Sequence, residues 1–291
     1  MSLINTTVLM SDAQHFSADQ AINPYYDDTV VDLSRAITEH IAIAKALTTA
    51  GITITHVASP VDSQDGVYTA NWALVRGDTA ILARLPDVRK AEEDHAQKIL
   101  ESMGKTVIHV PAGLKFSGQG DALACGNYLF CGQGYRSDEP AQAFAAEQLG
   151  YDRIQLQTIP EVDHNGVPKI NAVSGWADSF FYDIDLALSI IKPPEADKKG
   201  LIAYCPDAFT AESKALLAAF DGVDKIEVSI AEATKAFACN LVSTGETVIM
   251  SAHAPLLSAA LIKRGLTVLT PEVSELAKGG GYIRCTTLTI A

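Results

Sequence analysis

The chain closes on GGGYIRCTTLTIA, where Gly279, Gly280 and Gly281 precede a single cysteine, Cys285. A thiolate is a strong nucleophile and glycine lets other atoms approach the backbone closely, so together they suit attack on a flat electrophile. The plainer alternative is a glycine turn followed by a small core residue, the usual fate of a free cysteine. A second pair sits in FFYDIDLAL, where Asp183 and Asp185 lie two apart. Read as a strand, the stretch points both carboxylates to one face. Two carboxylates among Phe180, Phe181, Tyr182 and Ile184 are costly unless they serve something. They could clamp a guanidinium by charge-assisted hydrogen bonds, or share a proton with one pKa pushed up.

Such residues need a scaffold, and 291 residues can bury a sizeable core without staples. Hydrophobic residues make up 48% and charged residues 20%, and the net charge of -13 argues against nucleic acid or an anionic membrane as partner. The five cysteines, Cys125, Cys131, Cys205, Cys239 and Cys285, form no CxxC, so neither a zinc site nor a disulfide framework is expected. No apolar run approaches the ~20 residues of a membrane helix, and the start lacks a signal-peptide pattern. A reducing, cytoplasmic setting is the expectation. The sequence leaves homo-oligomerisation open.

The positioning elements alternate. Apolar β runs recur near residues 8, 54, 81, 108, 129, 186, 203, 246 and 268. Between them, five helical stretches stop at Gly51, Gly104, Gly150, Gly222 and Gly265, each followed by an apolar strand. VYTANWALVRGDTAILARL reads as a hairpin turning at Arg76-Gly77-Asp78, and NLVSTGETVIMS as one turning at Thr244-Gly245-Glu246. Lys192 to Gly200 is polar and proline-rich and reads as a loop between modules. Strands outnumber helices by more than a parallel doubly wound sheet allows, which favours an α/β array of repeated modules. The GQG pairs at 118 and 132 lack the third glycine and following helix of a dinucleotide site. No NAD, other cofactor or metal is expected.

DGVYTANWALV, FSGQGDALA, GQGYRSD, FFYDIDLAL, FACNLVSTGETVI and ELAKGGGYIRCTTL occur in that order, and INPYY lies near residue 24. In this the chain resembles the guanidino-group-modifying enzymes, the penteins: amidinotransferases, arginine deiminases and dihydrolases, and dimethylarginine dimethylaminohydrolases. The resemblance spans nearly the whole chain. It implies one domain over residues 1–291, folded as an α/β propeller of five ββαβ modules with pseudo-fivefold symmetry. It also implies a cysteine-dependent hydrolase or amidinotransferase of arginine metabolism, working through a covalent amidino-thioether.

Carried over residue by residue, the resemblance makes Cys285 the nucleophile and Asp185 and Asp121 guanidinium-binding carboxylates. Two positions depart from the pattern: Asp183 stands where the family has its acid/base histidine, and Ser117 where the branch has a glutamate. An aspartate ionises near ~3.9, far from neutral pH, unless its surroundings raise it. Ser117 cannot act as a carboxylate base but could position water. These departures admit an alternative: an altered member that binds a cationic ligand without turnover. Asn71 matches the dihydrolase-like branch. Arg136 matches an arginine that pairs with a substrate carboxylate, a task suited to its fork of donors. Arg89 and Asn23 are further binding candidates, equally readable as a solvated helix charge and a turn residue. His253 reads as a helix-start residue rather than a replacement base.

Overall fold

The structure is a computed structural model that describes residues 3–26 and 30–291. Strand β1 (Thr7–Ser11) leads to helix α1 (Leu33–Thr49) and strand β2 (Thr53–Val57). Asp32 caps α1 by accepting the Arg35 N–H, and Gly51 ends the helix with a φ of +86°, open to glycine at little cost. Next come β3 (Ala73–Arg76), β4 (Thr79–Leu82), α2 (Lys90–Ser102) and β5 (Thr106–His109). The third set is β6 (Ala122–Cys125), β7 (Tyr128–Gly132), α3 (Glu139–Leu149) and β8 (Asp152–Leu156). The fourth is β9 (Leu188–Lys192), β10 (Gly200–Tyr204), α4 (Ala211–Ala219) and β11 (Val223–Glu227). After a short helix α5 (Ile230–Ala236) follow β12 (Val242–Ser243), β13 (Thr247–Ile249), α6 (Pro255–Lys263), β14 (Thr267–Leu269) and β15 (Leu288–Thr289).

These strands form five three-stranded sheets of one pattern. A first strand pairs antiparallel with a second, and the second pairs parallel with a third across a helix, as in β3-β4-β5 and β6-β7-β8. One sheet is assembled from both ends of the chain, with β15 antiparallel to β1 and β1 parallel to β2. The first strands lie together: β9 packs against β6 and β12, and β3 against the turn before β6. The helices lie outside them and the apolar strand faces supply the core. In that core Trp72, Phe116, Phe130 and Phe181 are fully buried.

Both expected hairpins are present, with Arg76 opposite Thr79 and Ser243 opposite Val248. Four expectations need correction. Lys192 to Gly200 joins β9 to β10 inside one sheet and does not separate modules. Helix α4 stops at Ala219, before Gly222, because Phe220 already has an extended backbone (φ −69°, ψ 114°). Strands β8 and β11 are not apolar: DRIQL and VDKIE alternate buried and wetter positions, as on a sheet with one wet face. Finally, Asp183 and Asp185 are not on a strand but at the 3-10 turn Ile184–Leu186 ahead of β9.

Candidate functional site

Six of the nine candidate residues share one structural address, the approach to a module's first strand, while Asn23, Arg89 and Arg136 come from loops and a helix start elsewhere. Asn71 lies in a 3-10 turn, Thr69–Trp72, that runs into β3. Ser117 and Asp121 bracket the turn Gly118–Gly120 ahead of β6. Asp183 is extended (φ −113°, ψ 143°) and leads into the turn Ile184–Leu186 ahead of β9. Asp183 and Asp185 are therefore not neighbours on one strand face; the tight turn swings both inward instead. Asn240 stands two residues before β12, and Cys285 three before β15. Because the first strands pack together, five distant chain segments deliver side chains to one place.

Cys285 is held from two sides. Asn240 Nδ2 donates to its Sγ at 3.1 Å, while Asn240 Oδ1 accepts the Cys285 backbone N–H at 3.2 Å. The thiol donates to Asp185 Oδ2 at 3.5 Å. Asn71 Nδ2 reaches Asp183 Oδ2 at 2.8 Å and Ser117 Oγ at 2.9 Å. Asp121 Oδ1 accepts the N–H of Ile184, the residue between Asp183 and Asp185, at 3.0 Å. All three aspartates are buried, and Asp121 Oδ2, Asp183 Oδ1 and Asp185 Oδ1 have no hydrogen-bond partner. Buried acceptors are ordinarily satisfied, so three without a partner among the described residues set this cluster apart. Gly120 makes the approach possible: a side chain there would collide with Asp183 Oδ2.

The electrostatics follow from burial. Burial, then the Asp183 charge, pushes the carboxyls of Asp185 and Asp121 well above the ordinary range. Burial also raises Asp183, but Arg136 and the hydrogen bonds from Asn71 and Ser117 pull it back. Burial and the neighbouring Asp185 lift the Cys285 thiol well above its usual value. Burial thus favours the neutral thiol of Cys285 and the neutral carboxyls of Asp121 and Asp185. A cation placed between them reverses both effects, since it favours every anionic form at once.

A small cavity, about 10 Å³ and room for about one water, joins Cys285, Asp183, Asn71 and Ser117 to Arg89, Arg136 and Asn23. An arginine-sized ligand must displace some of this lining. Arg89 is not a solvated helix charge: it is buried, pairs with Glu92 at 2.6 Å and donates to Asn71 Oδ1 at 3.0 Å. Arg136 is buried beneath Tyr182 and Trp176, with its guanidinium carbon 5.0 Å and 5.8 Å from their ring centres. It donates to the Ile22 carbonyl. Asn23 is buried too; its Nδ2 donates to Gly279 O at 3.1 Å and its Oδ1 accepts the Tyr25 N–H at 3.0 Å. Gly280 (φ +82°) and Gly281 have Asn23 and the Tyr68 ring where side chains would go. The triple glycine thus admits the protein's own side chains, which brace the loop before Cys285. His253 lies two residues before α6, exposed, 3.5 Å from Glu272.

Sequence reasoning passed over Asn240, although it lies in the FACN stretch. Its signal is positional: it lies within five residues of a first strand, as the other residues around Cys285 do. It also passed over Asp65, which lines the cavity and accepts from Tyr26 Oη at 2.7 Å.

Comparisons with known proteins identify the family. Residues 9–168 match the family described as N,N dimethylarginine dimethylhydrolase, eukaryotic. The bifunctional arginine dihydrolase/ornithine cyclodeaminase AgrE of a Nostoc species is 31% identical over 97% of this chain. The chain spans only 37% of that longer protein's length. The N(G),N(G)-dimethylarginine dimethylaminohydrolase of Mycobacterium tuberculosis is 31% identical over 97% of this chain and 84% of its own. Among solved structures, the substrate-bound N-terminal domain of ArgZ, an arginine dihydrolase from Cyanobacteria, superposes with a TM-score of 0.85. That match is at 26% identity, over 98% of this chain and 97% of that one. With a family match across more than half its length and relatives matched nearly end to end, the chain belongs to the guanidino-group-modifying enzymes, the penteins.

Proposed function

We propose that this chain hydrolyses the guanidino group of arginine or a methylated arginine, with Cys285 as nucleophile. The observation that carries the reading is the polarity of one buried site. A thiol hydrogen-bonded to Asp185 lies in a cluster of carboxyls with open oxygens, and the cavity at that thiol reaches two buried arginines. An arginine-like molecule has the matching ends, a planar cation and a carboxylate. In this reading the five modules close into a propeller around an axis on which the site sits, and residues 1–291 act as one domain. The named activities of the relatives, arginine dihydrolase and dimethylarginine dimethylaminohydrolase, support the class.

The chemistry follows from the pKa directions. An incoming guanidinium pairs with Asp185 and Asp121 and lowers the thiol's pKa by its charge. The thiol passes its proton to Asp183, and the thiolate attacks the guanidinium carbon and forms a C–S bond. The C–N bond to the leaving amine then breaks as Asp183, raised by burial, gives that nitrogen the proton. Water next adds to the amidino carbon and loses a proton to Asp183, which returns it to the sulfur as the C–S bond breaks. Ser117 Oγ, close to Asp183 through their shared donor Asn71, positions that water. Arg136 and Arg89 hold the far carboxylate, and Asn23 braces the wall beside it.

The test is direct. Purified protein is incubated separately with L-arginine and with N,N-dimethylarginine, following release of ammonia and dimethylamine, with Cys285→Ser as control. Release from at least one substrate, abolished in the serine variant, is expected. Binding of both without release or a covalent adduct would overturn the hydrolase reading in favour of a binding protein.

A further inference from the structure

A second and larger cavity, about 450 Å³, lies beyond the candidate site and is lined from all five sheets. Leu74 on β3, Leu123 on β6, Leu188 on β9, Leu241 beside β12 and Thr289 on β15 face it. Four of these strands, β3, β6, β9 and β12, run from the candidate site to the connection with their antiparallel partner, and β15 runs to the last residues of the chain. The cavity also reaches the turn residues Gly77, Gly126 and Pro193, so it opens at the end away from Cys285. Its size is within the range of small-molecule sites, and its wall is apolar with a few polar groups.

Two of those polar groups are cationic, Arg284 and Arg76. Arg284 is buried at the inner end, where it donates to Thr287 O at 2.8 Å, Thr287 Oγ1 at 3.1 Å and Gln119 Oε1 at 2.8 Å. Arg76 stands on the wall at the turn, donating to Leu149 O, Gly150 O and Asn127 Oδ1 and stacked 4.1 Å over Tyr151. Every one of these acceptors is a neutral oxygen, and among the described residues neither arginine has a carboxylate within 4.0 Å. The one aspartate in the wall is Asp185, whose carboxyl burial pushes well up, toward the protonated form. Arg284 has Asp185 as an electrostatic partner, so the half-buried Arg76, with no carboxylate within 4.0 Å among the described residues, is the cation left to attract a bound anion.

We propose that this cavity is a second ligand site, distinct from the one at Cys285, that takes a small carboxylate with an apolar body. The carboxylate pairs with Arg76 at the mouth and the body fills the leucine-lined space. The proposal stands whether or not the chain hydrolyses guanidines.

The test uses octanoate as probe and the full-length protein with Cys285 first alkylated by a cationic amidine alkylator, which fills the other site. Calorimetric titration should show one octanoate bound per chain. Ala124→Trp, which places an indole in the mouth from an exposed position, should weaken binding by about tenfold or more, and Arg76→Gln should weaken it comparably. Octylamine, of the same length but opposite charge, should not bind. Circular dichroism verifies that each variant folds; if Ala124→Trp does not, Arg76→Gln decides. The site is refuted if octanoate fails to bind in the millimolar range, if alkylation of Cys285 abolishes binding, if the folded variants bind like wild type, or if octylamine binds equally.

Discussion

Asn240 grips Cys285 twice, through the side-chain sulfur at 3.1 Å and the backbone N–H at 3.2 Å. An amide is suited to this, since it donates to the sulfur while accepting from the backbone. The donated hydrogen bond strengthens as the sulfur gains charge. Asn240→Ala should lower kcat by about 10- to 100-fold with a smaller change in KM, because the lost interaction grows along the reaction path. Asn240→Asp should be worse than alanine, since a further anion raises the thiol pKa again. Equal kcat values for all three proteins would show that Asn240 merely packs.

The thiol itself gives a second expectation. Burial and Asp185 hold Cys285 protonated at neutral pH, so a neutral alkylator should react slowly, with a rate still climbing above pH 9. A cationic amidine alkylator supplies the missing charge and should react faster at pH 7. The other four cysteines are buried as well, and burial raises their thiols too. Peptide mapping should therefore find the amidine on Cys285 alone, and arginine should protect it. Labelling that spreads evenly over the five cysteines would count against a built thiol site.

Much of the scaffold was legible because it rests on local rules. The helices α1, α2, α3 and α6 end close to their glycines, and both hairpins turn at glycine. What stayed hidden is non-local or too short to carry a pattern. β6 spans four residues, and β8 and β11 carry charges that dilute an apolar signal. Helix α5 has seven residues and was not anticipated. Arg89 looked like a helix charge because its partner Asn71 is eighteen residues away and meets it only through the fold. The aspartate pair was assigned the right interior but the wrong backbone, since DID reads equally as strand and as tight turn.

Asp183 occupies the position where the resemblance places a histidine, and its surroundings decide how it can serve. It is buried, raised in pKa, and linked through Asn71 to the Ser117 hydroxyl. Asp183→Asn keeps the size and the Asn71 contact but cannot carry a proton. It should lower kcat by about 10²–10⁴-fold, the usual cost of losing a general acid/base, and flatten the pH–rate profile. An unchanged profile would assign proton transfer to another group. Asp183→His, which would restore the family residue, meets Gly120 and Asn71 at close quarters, so gain of activity is not expected from that change alone.

Arg136 and Arg89 line the cavity with Cys285, and only Arg136 lacks a carboxylate within 4.0 Å among the described residues. Arg136→Met keeps an apolar stem under Tyr182 and Trp176 while removing the charge. It should raise KM for arginine by about 10- to 100-fold, the scale of a hydrogen bond to a charged group. Arginine amide, which lacks the carboxylate charge, should be far less affected. An equal loss for both compounds would mean that the variant disturbs the pocket rather than a carboxylate contact.

Asp65 offers a test that needs no substrate. It is buried beneath the Arg89–Glu92 pair, and burial pushes its carboxyl from 3.8 to about 6, with Arg89 opposing the shift. The folded chain therefore holds the Asp65 proton more tightly than the unfolded chain does. The stability this contributes is complete below about pH 4 and is lost as pH rises through 6. A shift of that size corresponds to a cost on the order of 3 kcal/mol above pH 6. Asp65→Asn cannot ionise, so it escapes this cost, although it weakens the 2.7 Å bond from Tyr26 by an amount that does not depend on pH. Urea unfolding of both proteins between pH 4 and 7 separates the two effects. Relative to wild type, the asparagine variant should gain stability steadily from pH 4 to 6 and then level off. A constant difference across that range would mean that Asp65 ionises in the folded protein as it does in the unfolded chain, and that its burial is relieved by Arg89 in full.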